Sequence, residues 1–294
     1  MKKIWRIIIV LGLAGVLFMT VGYFMGAKMQ MTLDRKGFHV GDATKAPDIR
    51  EPLGEFEDIT IRATHANVEL ILSDKYYIEI VGDDEYSIHY EVRGGELVVT
   101  QENIWVWNIL KLSLSGPQLK IYVPKDASLN NVFVGVSSGS ASLSGLHCNN
   151  LNAELASGSI RLADIAADTL RISVASGRVK VQNATADRLN ISVKSGSIDA
   201  RGIRSKKLDV DISSGFADIS GVLEGENNIS VKSGSAKLDI QGRKSDYNRF
   251  ISVKSGSVRV NGKKEEGGER YAKAKNSITV NVNSGMAKVD FSKD

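Results

Sequence analysis

Leu189-Asn190-Ile191-Ser192-Val193-Lys194-Ser195-Gly196-Ser197-Ile198-Asp199-Ala200 is the stretch on which the fold turns. Apolar residues stand seven, five and three positions before Gly196 and two and four positions after it, and Ile203 follows at seven. A period of two belongs to a strand with one buried and one wet face. The runs are too short, too rich in Val and Ile, and too plainly broken by Ser-Gly to be helices.

The same pattern recurs along the chain. One coil earlier it reads Leu170, Ile172 and Val174, then Val179, Val181 and Ala184. The Ser-Gly pair places glycines at Gly139, Gly158, Gly177, Gly196, Gly215, Gly234, Gly256 and Gly285, at intervals of 19, 19, 19, 19, 19, 22 and 29 residues. The heptapeptide Ile-Ser-Val-Lys-Ser-Gly-Ser stands unchanged at 191–197, 229–235 and 251–257. A 19-residue unit with strands this short cannot bury its own apolar face, so the units must stack, each about 4.8 Å above the last. The expected fold is all-β, a single-stranded β-helix or β-solenoid with ~19-residue coils. The eight glycines are its structural turns. Each corner is expected to demand φ > 0, where a Cβ costs roughly 1 kcal/mol or more, and the preceding serine to continue the inward alternation. The two longer intervals place extra residues around 242–247 and 262–275, expected to protrude as polar loops, with 263–270 as a solvated hairpin tip.

At the N-terminus, residues 7–27 carry no charge, about the roughly 20 residues that a bilayer-spanning helix needs. Lys2, Lys3 and Arg6 precede this run, which by the positive-inside rule keeps 1–6 cytoplasmic and exports the chain beyond residue 28. The alternative is a cleaved signal peptide, but Met25-Gly26-Ala27 matches an A-x-A site poorly and the run exceeds the usual ~7–15 residue apolar region. The expected organisation is a tail at 1–6, a single-pass signal anchor at 7–27, a linker at 28–55, an N-terminal cap with degenerate coils at 56–135, and the Ser-Gly solenoid at 136–294. Alternation without the Ser-Gly mark distinguishes the cap, as in Val68-Glu69-Leu70-Ile71-Leu72 and Leu119-Lys120-Ile121-Tyr122-Val123.

Composition narrows the function. The formal charge is +4, from 38 basic and 34 acidic residues; without the three N-terminal cations the exported part holds 35 and 34. That balance lacks the basic footprint of a nucleic-acid binder. Cys148 is the single cysteine, which excludes an internal disulfide and a thiolate-rich metal site and reads as a small buried hydrophobe. His39, His65, His89 and His147 are scattered without metal-ligand spacing, and no nucleophile elbow, Walker loop or dinucleotide fingerprint appears. No cofactor, metal ligand or catalytic residue is expected.

Three surface features remain. The column Arg161, Lys180, Asp199, Asp218, Lys237 and Arg259 puts two carboxylates one coil apart, near the ~5–5.5 Å separation of a retaining glycosidase, but a self-compensating charge ladder is the preferred reading. Trp105 and Trp107 share a strand side and are expected under the cap rather than on a sugar. Lys194, Lys232 and Lys254 form a stripe that Ala156, Ala175 and Ser213 interrupt, so an ordinary soluble face is expected there.

Val136-Ser137-Ser138-Gly139-Ser140, Leu155-Ala156-Ser157-Gly158-Ser159, Val174-Ala175-Ser176-Gly177-Arg178 and the three identical heptapeptides resemble the bacterial "putative adhesin" domain family of unknown function, over roughly 56–294. The resemblance implies a surface-exposed solenoid, often membrane-anchored, mostly from Gram-positive bacteria and in some cases tied to envelope stress. It supplies no catalytic residues. The function expected is a non-enzymatic envelope protein presenting its stack to a protein or wall polymer. A polysaccharide-acting enzyme and a structural spacer are the alternatives.

Overall fold

The computed structural model describes residues 31–34, 37–40, 49–83, 87–102 and 116–293. The expected tail, the apolar run at 7–27 and Trp105 and Trp107 lie outside the described residues. Among the described residues no helix is long and apolar enough to cross a membrane. The chain divides into two units, Met1–Lys45 with Ile104–Ser115, and 46–103 with 116–294. In the first, Met31–Asp34 and Gly37–Val40 pair as an antiparallel hairpin inside the stretch expected to be linker. The second unit is all-β and solenoid-like, with one 3-10 turn at Lys244–Asp246 among its described residues.

Its middle follows from the 19-residue period. Ser159–Val174, Arg178–Val193, Ser197–Ile212 and Phe216–Val231 are successive coils separated by three-residue bends. They stack in parallel register, Ile160 on Val179 on Ile198 and Ile172 on Ile191 on Val210. These inward positions are buried, and each Val, Leu or Ile so covered contributes about 1.5–3 kcal/mol. Asp164 and Asn183, at φ 53° and 56°, and Gly202, at 68°, bend the coil at its second corner in the left-handed conformation that Asn, Asp and Gly tolerate best.

At the ends, order in space departs from order in sequence. The C-terminal strands return past the outermost coil and enter the stack one rung in. Asn276–Val282 lies between the end of Phe216–Val231 and Tyr247–Val253. Met286–Lys293 lies between Ser235–Arg243 and Ser257–Val260. The residues expected to protrude as a hairpin tip instead close the edge: Lys263–Glu265 pairs antiparallel with Ser257–Val260, and Gly268–Arg270 with Tyr247–Val253. An uncovered rung would expose unpaired amides and carbonyls, which is the reason for this departure.

The N-terminal end uses the same arrangement. Asp58–Ala63 sits between Glu96–Gln101 and Leu129–Val136, and Asn67–Ser73 between Gln118–Pro124 and Ser140–Ser144. Ile88–Arg93 covers Glu96–Gln101, and Tyr77–Val81 covers Gln118–Pro124, both antiparallel. Ile49–Pro52, expected in the linker, is the outermost strand, where Pro52 lacks the amide that further pairing would use.

Candidate functional site

The Ser-Gly corner is built by close approach rather than by unusual dihedrals. None of its eight glycines has the positive φ expected of it. A Cβ on Gly158, Gly177, Gly196, Gly215 or Gly234 would instead fall within 3.0 Å of the carbonyl oxygen of the glycine one coil before, and one on Gly139 would meet Ala66 O. At the C-terminal end the glycine column runs Gly234, Gly285, Gly256. The bend amides hold the corners together: Ser176 N donates to Ala156 O at 2.8 Å, and Ser195 N to Ala175 O at 2.8 Å. The serines before the glycines, expected to point inward, are exposed because the bend breaks the alternation at that residue. With bare backbone as its floor, the corner forms a shallow trough of about 590 Å³ lined by Ser157, Ser176, Ser195, Ser214, Arg178 and Phe216.

Lys194, Lys232 and Lys254 stand on the rim of this corner, all exposed. Beside it lies a groove of about 520 Å³ lined by Arg62, Phe133, Gly135, Glu154, Ser192 and Lys194. The Phe133 ring lies against Gly135, and the Arg62 guanidinium stands 4.6 Å from the ring centroid.

Asp199 and Asp218 are adjacent rungs of one column, as the 19-residue spacing requires. Arg201 joins them: its Nε donates to Asp199 Oδ1 at 2.6 Å and its Nη2 to Asp218 Oδ2 at 2.7 Å. Lys237 Nζ lies 3.6 Å from Asp218 Oδ1 and 2.5 Å from Asp239 Oδ2, and the hydrogen bond to Asp239 leads in raising the ammonium above its ordinary 10.5. A retaining glycosidase needs one carboxyl as acid and another free to attack. Here a single guanidinium engages both. The sequence signal for Arg201 was its place two residues after Asp199, on the same outward side of the strand.

The remaining candidates carry no chemistry together. Cys148 is half-buried, and burial, followed by the charge of Asp168, pushes its thiol up to about 11, away from reactivity. His89 pairs with Glu102 at 3.5 Å, and His65 Nε2 lies 3.1 Å from Gln101 Nε2. His147 is exposed on another strand. Among the described residues no three His, Cys, Asp or Glu side chains group to hold a metal. Gln101, which sequence reasoning missed, accepts from the backbone amides of Thr64, His65 and Ala66 at 3.0, 2.9 and 2.9 Å through one side-chain oxygen. Phe216 and Met286, also missed, are large apolar side chains left 41% and 48% exposed.

The family model that matches this stack, over residues 56–290, is that of Toastrack DUF4097. The chain belongs to the Toastrack DUF4097 family. The family resemblance carried by the Ser-Gly copies is thereby borne out. Among solved structures, a "putative adhesin" from Bacteroides fragilis is 17% identical, with 85% of this chain and 98% of that one aligned at a TM-score of 0.53. A "putative adhesin" from Parabacteroides merdae is 15% identical over the same shares, also at 0.53. A "putative lipid binding protein" from Parabacteroides distasonis is 18% identical, again over 85% and 98%, at 0.50. At these identities the likeness is one of fold. Among curated proteins none matches the chain. The names that these relatives carry indicate no enzymatic activity.

Proposed function

We propose that this Toastrack protein is a non-enzymatic, single-pass envelope protein, with its N-terminus in the cytoplasm and its solenoid outside, that presents the stack to another surface molecule in adhesion or in sensing envelope stress. The observation that carries the reading is the register of the outward side chains. Position after position, equivalent residues repeat on successive rungs, as in Arg161, Lys180, Asp199, Asp218, Lys237, Lys288 and Arg259. Such a surface offers an extended partner side chains at one constant spacing along the stack, whereas an enzyme needs one concave site with separated acid and base. The outermost strands are short and antiparallel, and Ile49–Pro52 ends on a proline, which makes both ends poor templates for a second copy and favours display over polymerisation. The charge-free run at 7–27 behind Lys2, Lys3 and Arg6 supports the anchor and its orientation.

The location is tested by labelling Lys180→Cys protein in intact cells with a membrane-impermeant maleimide. Cys148 gives a low background because burial holds its thiol near 11. Rapid labelling of the introduced thiol in intact cells is expected. Labelling only after lysis overturns the reading.

A further inference from the structure

Two residues before Gly139, Gly158 and Gly177 stand Ser137, Ala156 and Ala175; from Gly196 onward the same position runs, in sequence order, Lys194, Ser213, Lys232, Lys254, Asn283, with no regular spacing of charge. Stacking reorders them. Asn283 N donates to Val231 O and Lys254 N to Val282 O, so the row in space is Lys194, Ser213, Lys232, Asn283, Lys254. Lysines therefore occupy every second rung, about 9.6 Å apart at ~4.8 Å per rung. Among the described residues no carboxylate forms an ion pair with any of the three, in contrast with Arg201, Lys237 and Lys288 on the neighbouring flank.

The other side of the corner carries the complementary alternation. The residue after each glycine runs Ser197, Phe216, Ser235, Met286, Ser257 in the same spatial order. Rungs reading Lys-Ser-Gly-Ser thus alternate with Ser213-Ser214-Gly215-Phe216 and Asn283-Ser284-Gly285-Met286. The exposed Phe216 and Met286 lie on the rungs without lysine. The exposed serines Ser195, Ser214, Ser233, Ser284 and Ser255 stand between the two rows, the first two of them lining the trough. Asp211 is the single carboxylate on the adjoining column Ser192, Asp211, Ser230, Asn281, Ser252, and it also belongs to a rung without lysine.

A cation on every second rung, an apolar contact on the rungs between and hydroxyls throughout describe a ligand of two-rung period. Two rungs are about the length of an extended disaccharide. A polymer charged on every sugar would bring half of its anions to Ser213, Asn283 and the apolar side chains, with no cation to meet them. One charged on every second sugar meets a lysine each time and lays a C–H face on Phe216 or Met286. We propose that the Ser-Gly corner from Lys194 to Lys254 binds a linear glycan bearing one anionic group per disaccharide, extended along the stack axis. This deepens the reading of an exported display surface and rests on it.

The test uses the full-length protein in detergent micelles and hyaluronan fragments, which carry one carboxylate per disaccharide. The hexasaccharide, whose three carboxylates match three lysines, is expected to bind, and the disaccharide and carboxyl-reduced hexasaccharide not to. The triple variant Lys194→Gln, Lys232→Gln, Lys254→Gln is expected to lose about tenfold or more in affinity with an unchanged melting temperature. Phe216→Ser with Met286→Ser is expected to lose about threefold, while Arg161→Gln with Lys180→Gln binds as the parent does. Unchanged binding by the triple lysine variant, or equal binding of polyaspartate, overturns the proposal, as does a hexasaccharide that fails to bind. The maleimide experiment separates the two levels: an exported chain whose triple variant binds normally sinks only the glycan assignment, and a chain protected from the reagent sinks the display reading itself.

Discussion

The coils between 159 and 223 and the two ends of the stack meet different demands with the same strands. In the middle, every rung has a copy of itself above and below, so an amide finds the carbonyl of the residue just before its equivalent in the neighbouring coil, as Ser214 N finds Lys194 O at 2.7 Å. At an end there is no next copy. Both ends close by tucking the terminal strands one rung inward and laying antiparallel strands on the outside. Polar residues that break the repeat complete the closure. The Gln101 oxygen accepts from the amides of Thr64, His65 and Ala66 at the N-terminal end. Asn227 occupies a buried position where the neighbouring coils carry Leu208 and Ile278, and its Nδ2 donates to Ser277 O at 3.0 Å. Repetition specifies the middle, and exceptions to repetition specify the ends.

The harshest way to break the comparison is to stop the chain after Lys275. Tyr247–Val253 and Ser257–Val260 then lose their parallel partners. Hydrogen exchange across 244–275 should approach that of an unfolded segment while the coils from 159 to 212 keep their protection. Continued protection of 247–260 would mean that this coil has moved one rung inward and that intercalation is dispensable. Next in size is Gly158→Val. Its Cβ would collide with Gly139 O in the backbone of the coil before, so a loss of about 3 kcal/mol or more is expected in denaturant melts. Gly262→Ala, at φ 74° with nothing within 4 Å, should cost only about 1 kcal/mol. Equal losses would point back to dihedral strain. Gln101→Ala and Asn227→Ala should each cost about 1–3 kcal/mol, because buried backbone groups lose their partners, with the exchange increase confined to the end concerned.

Much of the middle is legible from spacing alone. The inward set around Gly196, from Leu189 to Ile203, is buried as the period of two requires, and five equal intervals bring Asp199 beside Asp218. The glycines were legible as turns but not in their reason. Dihedral preference belongs to one residue, whereas the approach of Gly158 to Gly139 needs two coils in place. Spatial order at the C-terminal end was not legible, because identical heptapeptides at 191–197, 229–235 and 251–257 present the same edge to any neighbour. The regular spacing of Lys194, Lys232 and Lys254 was hidden for the same cause: it appears only once Asn283 is placed between the last two. Arg201 was within reach, since it shares a strand side with Asp199, but its hold on Asp218 depends on side-chain geometry.

Acid should separate the N-terminal end from the middle by the smallest of these effects. Glu79 lies on the cap, with Arg50 opposite it on one neighbouring strand and Lys120 on the other. Burial alone would push its carboxyl upward. The hydrogen bond from Arg50 at 3.3 Å, the ammonium of Lys120 at 3.7 Å and the Tyr122 hydroxyl at 3.2 Å outweigh burial and hold it below its ordinary 4.5. A carboxyl depressed in the folded state binds fewer protons there than in the unfolded state, so its contribution is complete above about 4.5 and is lost as pH falls through the lower folded value. Amides of Ile49–Pro52 and Tyr77–Val81 should therefore lose protection on acidification before those of Arg178–Val193. Glu79→Gln should remove that difference while leaving the middle coils unchanged. If the variant cap still opens first in acid, its lability comes from thin packing at an edge of the stack, and the ion pairs across Ile49–Pro52 contribute little to closing it.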